Sequence, residues 1–369
     1  MSTERAAAID AFLKESGWGA AARLPMPGDA STRRYIRLDR AGRKAMLMDQ
    51  PQGAEAPVAS ALATPAERRA LGYNAVARLA GADIGRFVAA ANFLRSQGLS
   101  APDIIAADVA RGLAIIEDLG DGLYCDVADA NNELELYAAA AEVLAALHRH
   151  DAPSLLLPDK ALHAYDETAL LAEVDLLTEW FMPVAVGGQV SVEMTAEHRA
   201  LWRDVLAATL TAPTVFVHRD YHAQNLMWLP HRQGLARVGL IDFQDAVAGS
   251  RAYDLISLVE DARRDVPPEI AQTTTAHYLE TMRQQGTPVD ERAFRSQMAV
   301  MAAQRNAKIA GIFARLYKRD GKPRYLGYLS RVWGYLNRDL EDPALASLKA
   351  WYDRAIPREK RGAPEGVAF

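Results

Sequence analysis

Three features of the sequence point to an α+β protein with a β-rich N-terminal part and a larger, mostly helical remainder. Short β-like runs separated by turn residues occupy much of Arg23 to Ile116. Stretches with helical apolar periodicity dominate the chain beyond Gly120. Between them, Val215 to Asp242 reads as strand, polar loop, hairpin and returning strand.

In chain order, Ile9, Phe12 and Leu13 give a first helix one apolar side, and Gly17 ends it. Arg23 to Met26 is a short extended segment that Pro25 confines to a sheet edge. Gly28-Asp29-Ala30-Ser31-Thr32 is a loop, Arg33 to Leu38 a second strand, Ala41-Gly42 a turn and Lys44 to Asp49 a third strand. Gly53 to Gly81 reads as a loop holding a short helix, and Ile84 to Gln97 as a full helix. A hairpin turn at Arg111-Gly112 joins Ile104-Ile105 to Leu113–Ile116, which closes on Glu117-Asp118-Leu119-Gly120. Leu134, Tyr137, Ala141, Leu144 and Leu147 mark a helix over Glu133–His150, where His148 and His150 suit the negative end of the helix dipole. Glu167 to Met182 is a helix stopped by Pro183 and Gly187-Gly188, and its Glu167, Glu173, Asp175 and Glu179 are expected to form a solvated face. Thr195–Leu210 and Ala302–Tyr317 are further helices, and Arg358–Phe369 is a frayed tail.

A chain of 369 residues, half of them hydrophobic, holds one large or two medium domains with ample core. The formal charge of -5 argues against nucleic acid or an anionic membrane surface as partner. A single cysteine, Cys125, excludes an intrachain disulfide and fits a reducing compartment. Met1 to Trp18 carries Glu4, Arg5, Asp10 and Lys14 and has no apolar signal core, so a cytoplasmic location is expected.

The chemistry-bearing stretch is His218-Arg219-Asp220, then Asn225, a hairpin, and Asp242-Phe243. Phosphoryl transfer from a nucleotide asks a protein for positioning and charge neutralisation more than for covalent work. One carboxylate must meet the acceptor hydroxyl, and an amide oxygen with a second carboxylate must hold magnesium, a hard cation that takes one or two carboxylates. Asp220 is the candidate base, and Asn225 and Asp242 are the candidate metal ligands, with ATP and Mg2+ the implied cofactors.

At these residues the chain resembles the aminoglycoside phosphotransferase and choline kinase group, whose fold is the two-lobed protein-kinase-like one. Gln244 rather than Gly follows Asp242-Phe243, and no A-P-E segment appears, as in the small-molecule branch. Gly249 to Leu255 resembles the group's "G-x-x-x-x-D-L" stretch. Gly28–Tyr35, Glu117–Gly120 and Gln304–Leu316 resemble the bacterial anomeric amino-sugar kinases of that group. The resemblance implies a nucleotide-binding lobe over residues 1–120 that ends in a hinge, and a catalytic and substrate-binding lobe over 121–369. It implies that Ser31 and Thr32 cover phosphates and that the main chain at Glu117 and Leu119 meets the purine. It also implies that His218 and Asp254 support the loop from beneath, and His222 in that loop is a candidate for touching the acceptor.

One part of the group's pattern is missing. Met48 stands where a third-strand lysine is expected, and the helix from Ile84 has no glutamate to pair with it. Lys44 lies four residues earlier, roughly 13 Å away along an extended strand. Among Arg33, Arg34 and Arg37, Arg34 is the preferred substitute for neutralising phosphate. The stripe Gln304, Lys308, Gly311 and Arg315, flanked by Arg305, suits an acceptor with carboxylate or amide oxygens, and Arg305, Lys308 and Arg315 are its candidate ligands. A small-molecule amino sugar and a nucleotide are therefore the expected partners. The alternatives are a kinase for an aminoglycoside, choline or another sugar, and a silent nucleotide-binding pseudokinase.

Overall fold

Residues 2–27, 33–51, 57–79 and 83–364 are described by the computed structural model. Two compact units share the chain. The first comprises Met1–Ala128, Pro153–His163 and Gln224–Ala246, and the second Asp129–Ala152, Ala164–Ala223 and Val247–Phe369.

The first unit is built on an antiparallel five-stranded sheet. Its strands β1 (Ala22–Pro25), β2 (Arg34–Arg40), β3 (Arg43–Asp49), β4 (Ile104–Asp108) and β5 (Leu113–Glu117) are ordered β1-β2-β3-β5-β4. Pro25 sits on the edge strand, where its missing N–H costs no ladder bond. Ala41 and Gly42 both take positive φ, at 52° and 84°, the twist a two-residue hairpin turn needs. Helix α1 (Thr3–Glu15) lays Ile9, Phe12 and Leu13 on the sheet face formed by Leu38, Ala45, Leu47, Leu113 and Ile115. Arg5 fastens it by donating to Asp49 at 2.6 Å. Helix α2 (Ile84–Ser96) is capped by Asp83, which accepts from Gly85 N at 2.8 Å. The hairpin Leu226–Trp228/Val238–Leu240 completes this unit.

The second unit is mostly helical. Helix α3 (Glu133–Leu147) packs on α4 (Pro268–Gln284), and α5, the 30-residue helix Glu291–Asp320, contacts Glu167–Leu176, Ala252–Val259 and Leu329–Asp339. Three readings of the sequence need correction here. Leu134 faces solvent at 48% exposure, and the buried side of α3 runs through Leu136, Tyr137, Ala140 and Leu144. His148 is buried against the Tyr278 hydroxyl at 2.9 Å, and burial pushes its pKa down to about 3, so it is neutral and serves packing rather than the helix dipole. The expected frayed tail is anchored as far as Arg361, which donates to Ile356 O, Asn337 and Asp353 and lies over the Trp333 ring.

Candidate active site

The catalytic stretch starts from a strand that cannot face water. Val215, Phe216 and Val217 are buried and pair antiparallel with Val247–Gly249. His218 is also buried, edge-on to the Tyr221 ring at 5.6 Å. The backbone N–H groups of His218 and Arg219 donate to the two carboxylate oxygens of Asp254, at 2.6 and 2.8 Å. Burial pushes Asp254 up to about 7, against the pull of those two donors. Arg219 takes a left-handed backbone at φ 82°, a conformation a non-glycine residue holds only when its surroundings impose it. Its guanidinium reaches Glu173 at 2.5 Å and lies 4.8 Å over the Tyr165 ring.

Glu173 overturns the expectation of a solvated acidic face. It is 0% exposed and collects Arg219, Lys308 at 2.9 Å, Gln304 at 3.0 Å and the Tyr165 hydroxyl. Lys308 also donates to the Tyr253 hydroxyl at 3.1 Å. Burial works against the Lys308 charge, but Glu173 and Tyr253 hold its pKa above the usual lysine value. Asp220 is partly exposed beside this cluster. Burial tends to raise its carboxyl, and Lys308, His222, Arg219 and His218 more than offset that, so it stays ionised. His222 is buried, with its N–H on the Asp220 carbonyl at 3.1 Å, and burial lowers its pKa against the opposing pull of Asp261 and Asp220.

The rest of the basic stripe is part of the helix packing. Arg305 is buried and donates to Glu260 O at 3.1 Å and Ser257 Oγ at 2.9 Å, so it holds α5 to its neighbour rather than facing open space. A Cβ on Gly311 would lie 2.4 Å from the Leu176 carbonyl carbon, so glycine is there to let two helices touch. Arg315 is half-buried, and the pKa of nearby Asp320 is lowered mainly by Arg319, with smaller pulls from Lys322 and Arg315.

The chain passes from the second unit to the first between Ala223 and Gln224. In the first unit, Ile241 N donates to Asn225 O at 3.1 Å, next to the Leu226–Leu240 rung of the hairpin. Asn225 and Asp242 therefore stand at the same open end of that hairpin. Asp242 has a left-handed backbone too, φ 63°, and the stacking of Phe243 on Phe87 at 4.9 Å between ring centres fixes the segment behind it. Asn225 and Asp242 each carry a side-chain oxygen, and two such groups could supply the modest protein share of a magnesium site whose other ligands are phosphate and water. No cluster of three His, Cys, Asp or Glu that could hold a metal exists among the described residues.

The arginines are distributed differently from the sequence reading. Arg34 pairs with Asp49 at 2.7 Å, and Arg37 with Asp118 at 2.8 Å and Asp121 at 2.7 Å. Arg33, just ahead of β2, reaches Asp242 Oδ1 at 2.9 Å. Nothing local in the sequence could reveal a partner 209 residues away. Met48 is fully buried in the sheet, in keeping with an apolar side chain where the lysine is missing. Glu117 binds Arg232 at 2.5 Å through its side chain and Asp103 O at 2.8 Å through its N–H, and Leu119 packs near Gly239. Ser31 and Thr32 lie outside the described residues.

Residues 23–293 match the phosphotransferase enzyme family, and the chain belongs to that family and is a phosphotransferase. It is 46% identical over 365 residues to the N-acetylmuramate/N-acetylglucosamine kinase of Caulobacter vibrioides, covering 98% of this chain and 99% of that one. The kinase of the same name from Pseudomonas putida is 32% identical over 350 residues, covering 92% of this chain and 91% of its own length. Among solved structures, choline kinase from Streptococcus pneumoniae superposes with a TM-score of 0.57 at 14% identity, covering 94% of this chain and 100% of that one. An ADP-bound aminoglycoside phosphotransferase superposes with a TM-score of 0.54 at 16% identity, covering 93% of this chain and 98% of that one. At such identities the two structures speak for the fold alone, which is the α+β, protein-kinase-like one.

Proposed function

We propose that the chain is an ATP- and Mg2+-dependent sugar kinase. Its acceptor is the anomeric hydroxyl of N-acetylmuramate or N-acetylglucosamine, and its products are the sugar 1-phosphate and ADP, in the cytoplasm, as a step of cell-wall recycling. The observation that carries this reading is the 46% identity over nearly the whole chain to a kinase named for both sugars. In this reading residues 1–120 are the nucleotide lobe, with Ser31 and Thr32 over the phosphates and the main chain at Glu117 and Leu119 at the purine. Residues 121–369 are the catalytic and substrate lobe.

Asp220, kept ionised by the cations around it, accepts a hydrogen bond from the acceptor hydroxyl, orients its oxygen and takes the proton as the bond to phosphorus forms. Asn225 and Asp242 would hold the magnesium, which when bound neutralises phosphate charge. Arg219 and Glu173 keep the loop in its strained form, and Asp254 pins its backbone. Lys308 and His222, whose charges act on Asp220, would contact the acceptor, and so would Arg315.

A panel of N-acetylmuramate, N-acetylglucosamine, choline and kanamycin, read as ADP release with and without magnesium, tests the reading. Turnover confined to the two sugars, with phosphorus coupled to the anomeric proton by NMR, is the expected result. Turnover on choline or kanamycin alone would replace it, and so would a sugar product phosphorylated elsewhere.

A further inference from the structure

Arg33 has a place that its strand position does not require. Its side chain is 3% exposed, yet it ends on a carboxylate that is 43% exposed. One nitrogen contacts Asp242 Oδ1 at 2.9 Å and Gln244 Oε1 at 3.0 Å, and Nε donates to Gln50 Oε1 at 3.1 Å. Gln244 turns its own amide onto the same Asp242 oxygen at 3.0 Å. Gln50 is buried, and its Nε2 has no hydrogen-bond partner among the described residues. The guanidinium thus rests in a polar cradle, with a donor to spare beside it. Among the described residues, the Arg33 and Gln244 contacts to Asp242 both use Oδ1.

A dication coordinated by Asp242 would come within a few ångströms of that guanidinium. At such range two like charges repel appreciably even at the effective dielectric of a protein surface. Arg33 and the metal therefore compete for the charge of that one carboxylate. The negative charge that enters the site is that of the nucleotide phosphates, and a planar guanidinium pairs with phosphate oxygens in a fork. Arg34 and Arg37 are bound to Asp49, Asp118 and Asp121.

We propose that Arg33 is the built-in counter-ion of Asp242, displaced by the divalent cation, and that its guanidinium then serves the nucleotide phosphates in place of the absent third-strand lysine. This rests on the magnesium and nucleotide roles given above.

Mn2+ binding to the nucleotide-free protein, followed by the EPR signal of free Mn2+, tests the first half, and ADP binding at saturating Mn2+ by calorimetry the second. Arg33→Gln should bind Mn2+ about tenfold tighter or more, because a unit charge beside the carboxylate is worth at least a decade. The same variant should bind ADP roughly tenfold more weakly at saturating Mn2+, where the cation has displaced the guanidinium, while Arg33→Lys stays near wild type in the Mn2+ assay. Unchanged or weaker Mn2+ binding in Arg33→Gln overturns the counter-ion role, and unchanged ADP binding overturns the phosphate role. Adding Asp242→Asn separates the two levels of the argument. If the Mn2+ affinity of Arg33→Gln survives that change, the metal assignment itself falls. Should Arg33→Gln not fold, melting of Asp242→Asn and of Arg33→Lys decides. A buried guanidinium left without its carboxylate must lower the Asp242→Asn melting temperature, and an unshifted one refutes the pairing.

Discussion

Replacing Glu173 by Gln changes the interior of the helical unit by one charge and almost no volume. In the native protein that carboxylate balances two cations, Arg219 at 2.5 Å and Lys308 at 2.9 Å, and accepts from Gln304 and Tyr165. Removing one partner from a buried ion pair costs about 3–5 kcal/mol, because the other charge is left uncompensated. The amide still accepts hydrogen bonds, so the lower end, about 3 kcal/mol, is expected from a typical margin of ~5–15 kcal/mol. The pH dependence has a definite sign. Burial works to raise Glu173, but Lys308 and Arg219 hold it below its ordinary value. A depressed carboxyl contributes stability above its unfolded pKa and loses it as pH falls through the folded one. Wild type should therefore lose margin below about pH 4, and the Gln variant should lose less over the same interval. Urea unfolding at pH 7 and at steps down to pH 3, followed by near-UV circular dichroism, measures both. A loss within about 0.5 kcal/mol at pH 7, as for an exposed surface site, would refute the buried cluster and restore the solvated face.

Asp220→Ala should keep the native melting temperature within a few degrees and lower kcat by roughly 10²-fold or more, measured as ADP release with saturating sugar. Asp254 is raised to about 7 by burial, so its contribution to stability is present at low pH and declines as pH rises from about 4 through 7. Asp254→Asn should flatten that slope in pH-stepped melts. It should also cut kcat by up to roughly 10²-fold, since an amide cannot accept from both the His218 and Arg219 N–H groups. Arg305→Met should lower stability by about 1–3 kcal/mol through its lost hydrogen bonds to Glu260 O and Ser257, with the acceptor KM unchanged. A raised KM in a protein of native stability would instead return Arg305 to the substrate.

Local pattern carried much of this protein. The strand-loop-hairpin frame of Asp220, Asn225 and Asp242, the sheet edge at Pro25 and the α1 stripe of Ile9, Phe12 and Leu13 all follow from alternation, turn residues and helical spacing within a few residues of one another. Periodicity, however, says only that Glu173 and Leu134 lie on particular sides of their helices. Which side is covered depends on elements more than a hundred residues away, so the acidic residue is buried and the leucine exposed. The same limit hid Arg33, whose neighbours in the chain are two other arginines of identical chemistry. Their division of labour is an outcome of packing. Each guanidinium took the carboxylate that the folded chain carried within its reach, and for Arg33 that carboxylate is Asp242. Short-range sterics and hydrophobic alternation are written into consecutive residues, whereas charge pairing is written into distances that exist only after the chain has closed on itself.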